Sequence, residues 1–202
     1  MTKLYYGFLD ESGIIEEHAQ KGNYFVITVV IVGNSSEIKH VIQKARHYGR
    51  GRFRFHRVFK ASKEERGFVK LVLTELAKRD IGVVVGIFDK QQSAGRRDAN
   101  VAYAELVGQT VALPLEQYPR LALTVHKRYT VPRIRQEMDR IVNQSVQEGT
   151  FLSIDHRTEM ECRELELADA VAFALFQKYN NHDSTLYDII AEKIQKENRL
   201  AA

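Results

Sequence analysis

Cysteine is almost absent from this sequence of 202 residues, because Cys162 is the only one. An internal disulfide is therefore excluded, and no Cys/His pattern indicates a structural zinc site. The sequence also lacks a Gly-rich phosphate loop and a nucleophile elbow around Ser12, which disfavours a nucleoside-triphosphate enzyme and a serine hydrolase. No apolar run is long enough to cross a membrane, and the N-terminus does not resemble a signal peptide. We therefore expect a soluble, cytoplasmic protein with no membrane partner.

Acidic residues are missing from one long segment, residues 38–63, which contains nine Lys or Arg and no Asp or Glu. The net charge is +4, so the rest of the chain is net negative. A basic segment on an acidic body favours a polyanionic partner such as nucleic acid. The candidates for phosphate contacts are Arg50, Arg52, Arg54 and Arg57. A solvated, charged edge strand is the alternative interpretation.

Repeats, low-complexity tracts and convincing linkers are also absent, and the length suits a single domain over residues 1–202. Apolar periodicity predicts an α/β fold, in which a mixed sheet is covered by helices. The predicted strands span residues 4–10, 24–32, 52–59, 81–89, 121–126 and 151–155. The predicted helices span residues 37–49, 62–79, 100–118, 131–148, 162–179 and 186–197, with Ser62 as an N-cap.

Three carboxylates, those of Asp10, Asp89 and Asp155, end apolar strands. The carboxyl ends of neighbouring strands converge in open α/β sheets, so these side chains could share a site. A carboxylate at the end of a central strand is unfavourable unless it is paired or bound to a metal. The alternative for Asp10 is a turn that Ser12 and the following glycine complete.

A fourth carboxylate, Asp169, falls in the apolar stripe of the helix predicted over residues 162–179. A charge on a core-facing stripe needs a cation or an ion-pair partner, and Arg163 and Arg157 are the arginines that could supply a buried salt bridge. Glu166 lies three residues before Asp169 and could share its helix face. Together, Asp10, Asp155 and Asp169 suit a hard divalent cation, which prefers oxygen ligands.

Four stretches of the sequence resemble the domain-of-unknown-function family number 3800, which is regarded as ribonuclease H-like. They are Phe8-Leu9-Asp10-Glu11-Ser12-Gly13 with the strand after it, Lys60-Ala61-Ser62 with Ile87-Phe88-Asp89-Lys90, Ile154-Asp155 with Leu165-Glu166-Leu167-Ala168-Asp169, and Lys178-Tyr179 with Asp183-Ser184. In order and spacing they cover nearly the whole chain. The combination of the first stretch with the late Leu-x-Leu-Ala-Asp on a helix is the most specific part.

The resemblance implies a ribonuclease H-like mixed sheet flanked by α-helices and metal-dependent phosphodiester hydrolysis of DNA or RNA. Asp10, Asp155 and Asp169 would be the catalytic ligands of two Mg²⁺ or Mn²⁺ ions, which would clamp the scissile phosphate and activate water. The accessory candidates are Glu11, Ser12, Lys60, Asp89, His126 and Glu166.

Two departures from the family pattern concern acidic residues. The family commonly has an acid shortly before the stretch that matches Lys60-Ala61-Ser62, and it commonly has Asp at the position of His126. It also usually has Gln in place of Glu166. His126 could bind a metal or act as a general base instead. The departures leave open a second hypothesis, a catalytically degenerate nucleic-acid-binding protein, and a third, a structural or partner-binding protein.

Overall fold

The computed structural model describes residues 2–15, 22–92 and 98–200, and its apolar runs form one six-stranded mixed sheet. The strands are β1 (Tyr5–Ser12), β2 (Tyr24–Val32), β3 (Ile81–Asp89), β4 (Arg120–His126), β5 (Phe151–Arg157) and β6 (Ile194–Leu200). The helices are α1 (Val41–Gly49), α2 (Arg66–Ala77), α3 (Ala99–Leu115), α4 (Pro132–Gln144), α5 (Leu165–Asn181) and α6 (Tyr187–Ile190). The strand order is β5-β4-β1-β2-β3-β6, so β1 lies in the interior of the sheet.

Helices cover both faces of the sheet and enclose two apolar cores. One core lies against α1, α2, α5 and α6, and the other lies against α3 and α4. β2 is buried along nearly its whole length, since alternate side chains enter the two cores. The layered α/β fold that the sequence predicted is confirmed.

Strand β1 carries Asp10 into the interior of the fold. It pairs antiparallel with β2, where Asp10 lies opposite Thr28, and parallel with β4, where Leu9 lies opposite Val125. The Thr28 hydroxyl is 3.3 Å from the carbonyl oxygens of both Asp10 and Ala168. This buried contact fixes α5 directly over the carboxyl end of β1.

Residues 52–59 do not form the strand that their alternation predicted, but turns and bends between α1 and α2. Side chains form the hydrogen bonds to backbone N–H and carbonyl groups that a neighbouring strand would otherwise have formed. Arg54 and His56 donate their backbone N–H groups to Glu65 and Glu64, and the Arg46 guanidinium donates to two carbonyl oxygens of this loop. The loop is therefore held by α1 and by the residues before α2.

Other differences from the sequence prediction concern the ends of elements. α2 begins at Arg66, because residues 60–63 form a turn and Ser62 does not cap the helix. The helix predicted from residue 37 is a short 3₁₀ turn followed by α1. The last predicted helix is only one turn long, and β6 then pairs parallel with β3. Among the described residues, no helix has both the length and the apolar character that crossing a bilayer requires.

Candidate metal site

Asp10 is a deeply buried carboxylate, with 1% of its surface exposed. Its Oδ1 accepts a hydrogen bond of 2.9 Å from the backbone N–H of Glu11. Its Oδ2 is buried and has no hydrogen-bond partner among the described residues. Burial, and next the charge of Glu11, raise the pKa of Asp10 well above its usual range, although His126 and Lys60 oppose the rise.

Asp10 converges with two other potential ligands, Glu11 and His126. One ligand atom from each of the three side chains lies within 4.8 Å of the others. Glu11 also accepts hydrogen bonds from α3 and from the segment after β4. The Tyr103 hydroxyl donates to Glu11 Oε2 at 3.2 Å, and Arg128 Nη1 donates to Oε1 at 3.4 Å.

His126, at the end of β4, bridges two carboxylates. Its Nδ1 is 3.4 Å from Asp10 Oδ1, and its Nε2 is 3.3 Å from Glu159 Oε2. The hydrogen bond to Glu159 is the main cause that raises the pKa of His126 to about 9, although burial works against it. The same bond lowers the pKa of Glu159 to about 2. Without a metal, the pair is therefore an imidazolium and a carboxylate at neutral pH.

Asp169, on α5, is paired with the segment around Lys60. Its Oδ2 accepts a 2.6 Å hydrogen bond from the backbone N–H of Ala61, and its Oδ1 is 3.0 Å from Lys60 Nζ. Lys60 Nζ is also 3.5 Å from Glu159 Oε1. Although burial lowers the pKa of Lys60, the charges of Asp169 and Asp10 outweigh it, so the pKa is raised above its usual value. The partner of Asp169 is thus a lysine rather than Arg163 or Arg157.

Glu166, one helical turn before Asp169, binds the same segment. Its Oε1 accepts a hydrogen bond of 3.3 Å from the backbone N–H of Phe59, while its Oε2 is buried without a partner. Burial raises the pKa of Glu166, and the Phe59 N–H partly offsets the rise. Glu166 therefore positions the Lys60 segment.

Asp155, Asp89 and Ser12 stand apart from this group. The Asp155 side chain is 55% exposed and pairs with Arg157. Asp155 lies opposite Thr124, which is two residues before the end of β4.

Asp89 accepts a hydrogen bond from the backbone N–H of Gln91 in the turn after β3. By strand register it lies four residues beyond the level of Asp10, about 13 Å along the sheet. Ser12 ends β1 opposite Val26. Asp155 and Asp89 therefore do not converge with Asp10, so the prediction that they do is wrong.

Glu159 is the residue of the site that the sequence analysis missed. The fifth strand was expected to end at Asp155, whereas β5 continues to Arg157. The two extra residues carry the chain to the level of His126, and Glu159 follows in the turn. An acidic residue just beyond the end of a parallel strand could have indicated Glu159 as a site residue. This signal could be used only if the end of the strand was predicted correctly.

The basic loop, residues 50–58, packs its phenylalanines against α2 and exposes its arginines to solvent, although it is not a strand. Phe53 and Phe55 are partly buried against Phe68 of α2, with the ring centroids of Phe55 and Phe68 4.6 Å apart. The four arginines proposed to contact nucleic acid are exposed, namely Arg50, Arg52, Arg54 and Arg57.

The group formed by Asp10, Glu11 and His126 suits a hard divalent cation. It offers two carboxylates and an imidazole, and the unpartnered Oδ2 of Asp10 is a buried acceptor that a cation would satisfy. Within the described ranges, no other group of three such side chains meets the same distance criterion. Cys162 is not an alternative reactive group, since burial and then Glu164 raise its pKa to about 12.

Comparison with solved structures relates this arrangement to a known architecture. Ribonuclease H2 from Pyrococcus horikoshii OT3 matches with a TM-score of 0.53 and 12% sequence identity, over 87% of this chain and 74% of that chain. The fold is ribonuclease H-like. The sequence matches no protein-family model and no curated protein. The similarity therefore establishes the fold, and the chemistry must be argued from the site itself.

Proposed function

We propose that the protein is a metal-dependent nuclease that hydrolyses phosphodiester bonds of DNA or RNA. The observation that carries the proposal is Asp10, a buried carboxylate beside Glu11 and His126 that has one oxygen without a hydrogen-bond partner among the described residues. Such a group is unfavourable in a metal-free protein unless it serves a site. The ribonuclease H-like fold adds support, as does the resemblance to the domain-of-unknown-function family number 3800, of which we propose that the chain is a divergent relative.

Asp10, Glu11 and His126 would hold Mg²⁺ or Mn²⁺. A divalent cation there would polarise a phosphate oxygen and lower the pKa of bound water. The chain itself supplies the orientation. Tyr103 and Arg128 orient the Glu11 carboxylate by donating a hydrogen bond to each of its oxygens. The imidazole would have to release a proton to coordinate, so cation binding should strengthen as the pH rises towards the pKa of His126, about 9.

A cleavage assay with matched variants tests the proposal. Single- and double-stranded DNA, RNA and RNA–DNA hybrids are incubated with the protein in Mg²⁺, Mn²⁺ or EDTA. We expect cleavage that requires the metal and falls roughly 100-fold or more in Asp10→Asn, because an essential ligand is lost. Asp155→Asn is the control and should cleave like the wild type. Cleavage that persists in EDTA, or equal rates for Asp10→Asn and wild type, would refute the proposal.

A second candidate function is nucleic-acid binding without catalysis. The observation that favours it is the pairing of Asp169 with Lys60, together with the exposure of Asp155, which leaves only part of the expected acid set around Asp10. This function predicts salt-sensitive binding that survives Asp10→Ala and Asp169→Ala and weakens when Arg52 and Arg54 are replaced. The cleavage assay decides between the two candidates.

A further inference from the structure

We propose that Lys60 is a built-in cation that replaces a second divalent ion, so that the site binds one metal ion rather than two. The inference rests on the proposed function for the first ion, at Asp10, Glu11 and His126. Its own basis is the position of the Lys60 ammonium between two acids of the same site.

The ammonium already neutralises the carboxylates that a second ion would need. Lys60 Nζ lies 3.0 Å from Asp169 Oδ1 and 3.5 Å from Glu159 Oε1. The other Asp169 oxygen accepts the Ala61 N–H, and the other Glu159 oxygen faces His126. Both oxygens of Asp169 and Glu159 are therefore engaged, as are those of Glu11, whereas Asp10 keeps a buried oxygen that has no hydrogen-bond partner among the described residues.

The backbone on both sides of Lys60 is fixed, so the side chain extends from a fixed position next to the two acids that its ammonium contacts. Phe59 and Ala61 are fully buried and donate their N–H groups to Glu166 and Asp169. The Lys60 carbonyl oxygen accepts from the N–H groups of Lys63 and Glu64 at 2.8 and 3.1 Å, which closes the turn. A divalent ion at Asp169 would have to displace this ammonium. Because the backbone of Lys60 is already fixed, keeping the ammonium next to Asp169 costs less conformational entropy than it would on a mobile loop.

The position of Lys60 also suits a charge that acts on the substrate. Its side chain is 37% exposed, so Lys60 is accessible from solvent while its ammonium contacts the acids. A phosphate brought to the Asp10 cation would meet this permanent positive charge at its side. Lys60 would thus supply the charge neutralisation that a second ion supplies in two-metal sites.

Counting bound Mn²⁺ tests the inference without relying on activity. Mn²⁺ is titrated into the full chain, and the free ion is followed by electron paramagnetic resonance. We expect one Mn²⁺ per wild-type chain, two for Lys60→Met, and one again for Lys60→Met/Asp169→Asn. Lys63→Met removes an exposed lysine from the same turn and should still bind one. Circular dichroism establishes that each variant is folded, and Lys60→Gln replaces Lys60→Met if the latter unfolds.

The possible counts separate this inference from the proposed function. Two Mn²⁺ ions on the wild type would overturn the inference and leave the nuclease proposal intact. One ion on both the wild type and the folded Lys60 variant would also overturn it, because removal of the ammonium would have opened no position. If the wild type binds none, the nuclease proposal fails. In that case, binding of one ion to Lys60→Met that is lost in Lys60→Met/Asp169→Asn would still support the inference that Lys60 occupies a cation position. Binding of no ion to Lys60→Met would refute that inference.

Discussion

The buried carboxylate of Asp10 sets the electrostatics of the metal-free site. Burial and the neighbouring Glu11 raise its pKa, so the folded state favours the protonated form more than the unfolded state does. A group of this kind contributes stability below its unfolded pKa, near 4, and the contribution is lost as the pH rises through the folded pKa. Above the unfolded pKa, the burial of Asp10 therefore lowers the stability of the metal-free protein. A cation that binds the folded state would reverse the effect.

We accordingly expect Asp10→Asn to stabilise the metal-free protein. In EDTA at pH 8, the free energy of unfolding should rise by about 1–3 kcal/mol, which raises the melting temperature by about 2–4 °C per kcal/mol. The gain should shrink as the pH falls towards the unfolded pKa of a carboxyl, near 4. Thermal unfolding followed by circular dichroism measures both.

The exposed residue Asp155 provides the control for this measurement, since Asp155→Asn should leave the melting temperature nearly unchanged. Saturating Mn²⁺ should reverse the order of wild type and Asp10→Asn. A lower melting temperature for Asp10→Asn than for wild type in EDTA at pH 8 would contradict the account of Asp10.

Single residues were predictable where a polar side chain broke a strong apolar pattern. Asp10 and Asp169 were identified in this way, and both are buried. The ion-pair partner of Asp169 was not identified, because Lys60 is distant in sequence and local spacing offers only nearby arginines. The resemblance to a family, rather than periodicity, drew attention to Lys60. Long-range pairings of this kind follow from the packing of α5 on the sheet.

At the scale of elements, the basic loop of residues 50–58 combines a fixed backbone with exposed charges. Its phenylalanines pack on α2, and Glu64, Glu65 and Arg46 satisfy its backbone. The arginine side chains can therefore be changed without disturbing the loop. That arrangement allows phosphate binding to be tested separately from folding.

We expect Arg52→Ala/Arg54→Ala to weaken nucleic-acid binding by a similar factor for all sequences. Each phosphate contact that is lost should reduce the slope of log K against log salt by about 1. Fluorescence anisotropy over a series of salt concentrations measures the slope, and stability should change by less than about 0.5 kcal/mol.

Arg140→Ala is the matched control, because Arg140 is an exposed arginine on α4, on the other side of the sheet. It should leave the binding unchanged. If both variants lose affinity equally, the basic loop is not the binding surface.

Elements were predictable when their sequence carried their own periodicity, as β2 and β3 did. The loop of residues 50–58 was mistaken for a strand because alternation reports which side chains are buried, and not whether a neighbouring strand exists. β6 was missed for the converse reason. Its sequence contains Lys196, Glu197 and Asn198, which have low strand propensity, and only the free edge of β3 makes it a strand.

At the scale of the whole molecule, α3 joins the sheet through a close approach at Gly86 of β3. A Cβ atom there would overlap Thr110 Oγ1 and lie 2.6 Å from Leu200 Cδ1. Thr110 is buried in α3, and the same helix carries Tyr103, which holds Glu11. The packing of this layer is thereby connected to the proposed site.

Gly86→Ala should destabilise the fold by about 1–3 kcal/mol, because a buried helix would have to shift away from the sheet. Urea unfolding measures the change, and Thr110→Ala in the same chain should recover part of it. Gly33→Ala is a suitable control, since its Cβ would meet only the flexible end of Lys3 closely. Equal effects of the two glycine substitutions would argue against a close approach of α3 at Gly86.

The position of α5 over β1 has a consequence for biosynthesis. Asp10 and Lys60 leave the ribosome before α5, which supplies Asp169, covers Asp10 and is synthesised more than a hundred residues after Lys60. A nascent chain that lacks α5 has neither the anchor for the Lys60 turn nor the cover that excludes water from Asp10. Domains acquire their structure as their parts emerge during synthesis. The proposed cleaving centre would therefore be completed only once α5 has been synthesised, which would protect the messenger RNA being read from a chain that still lacks this helix.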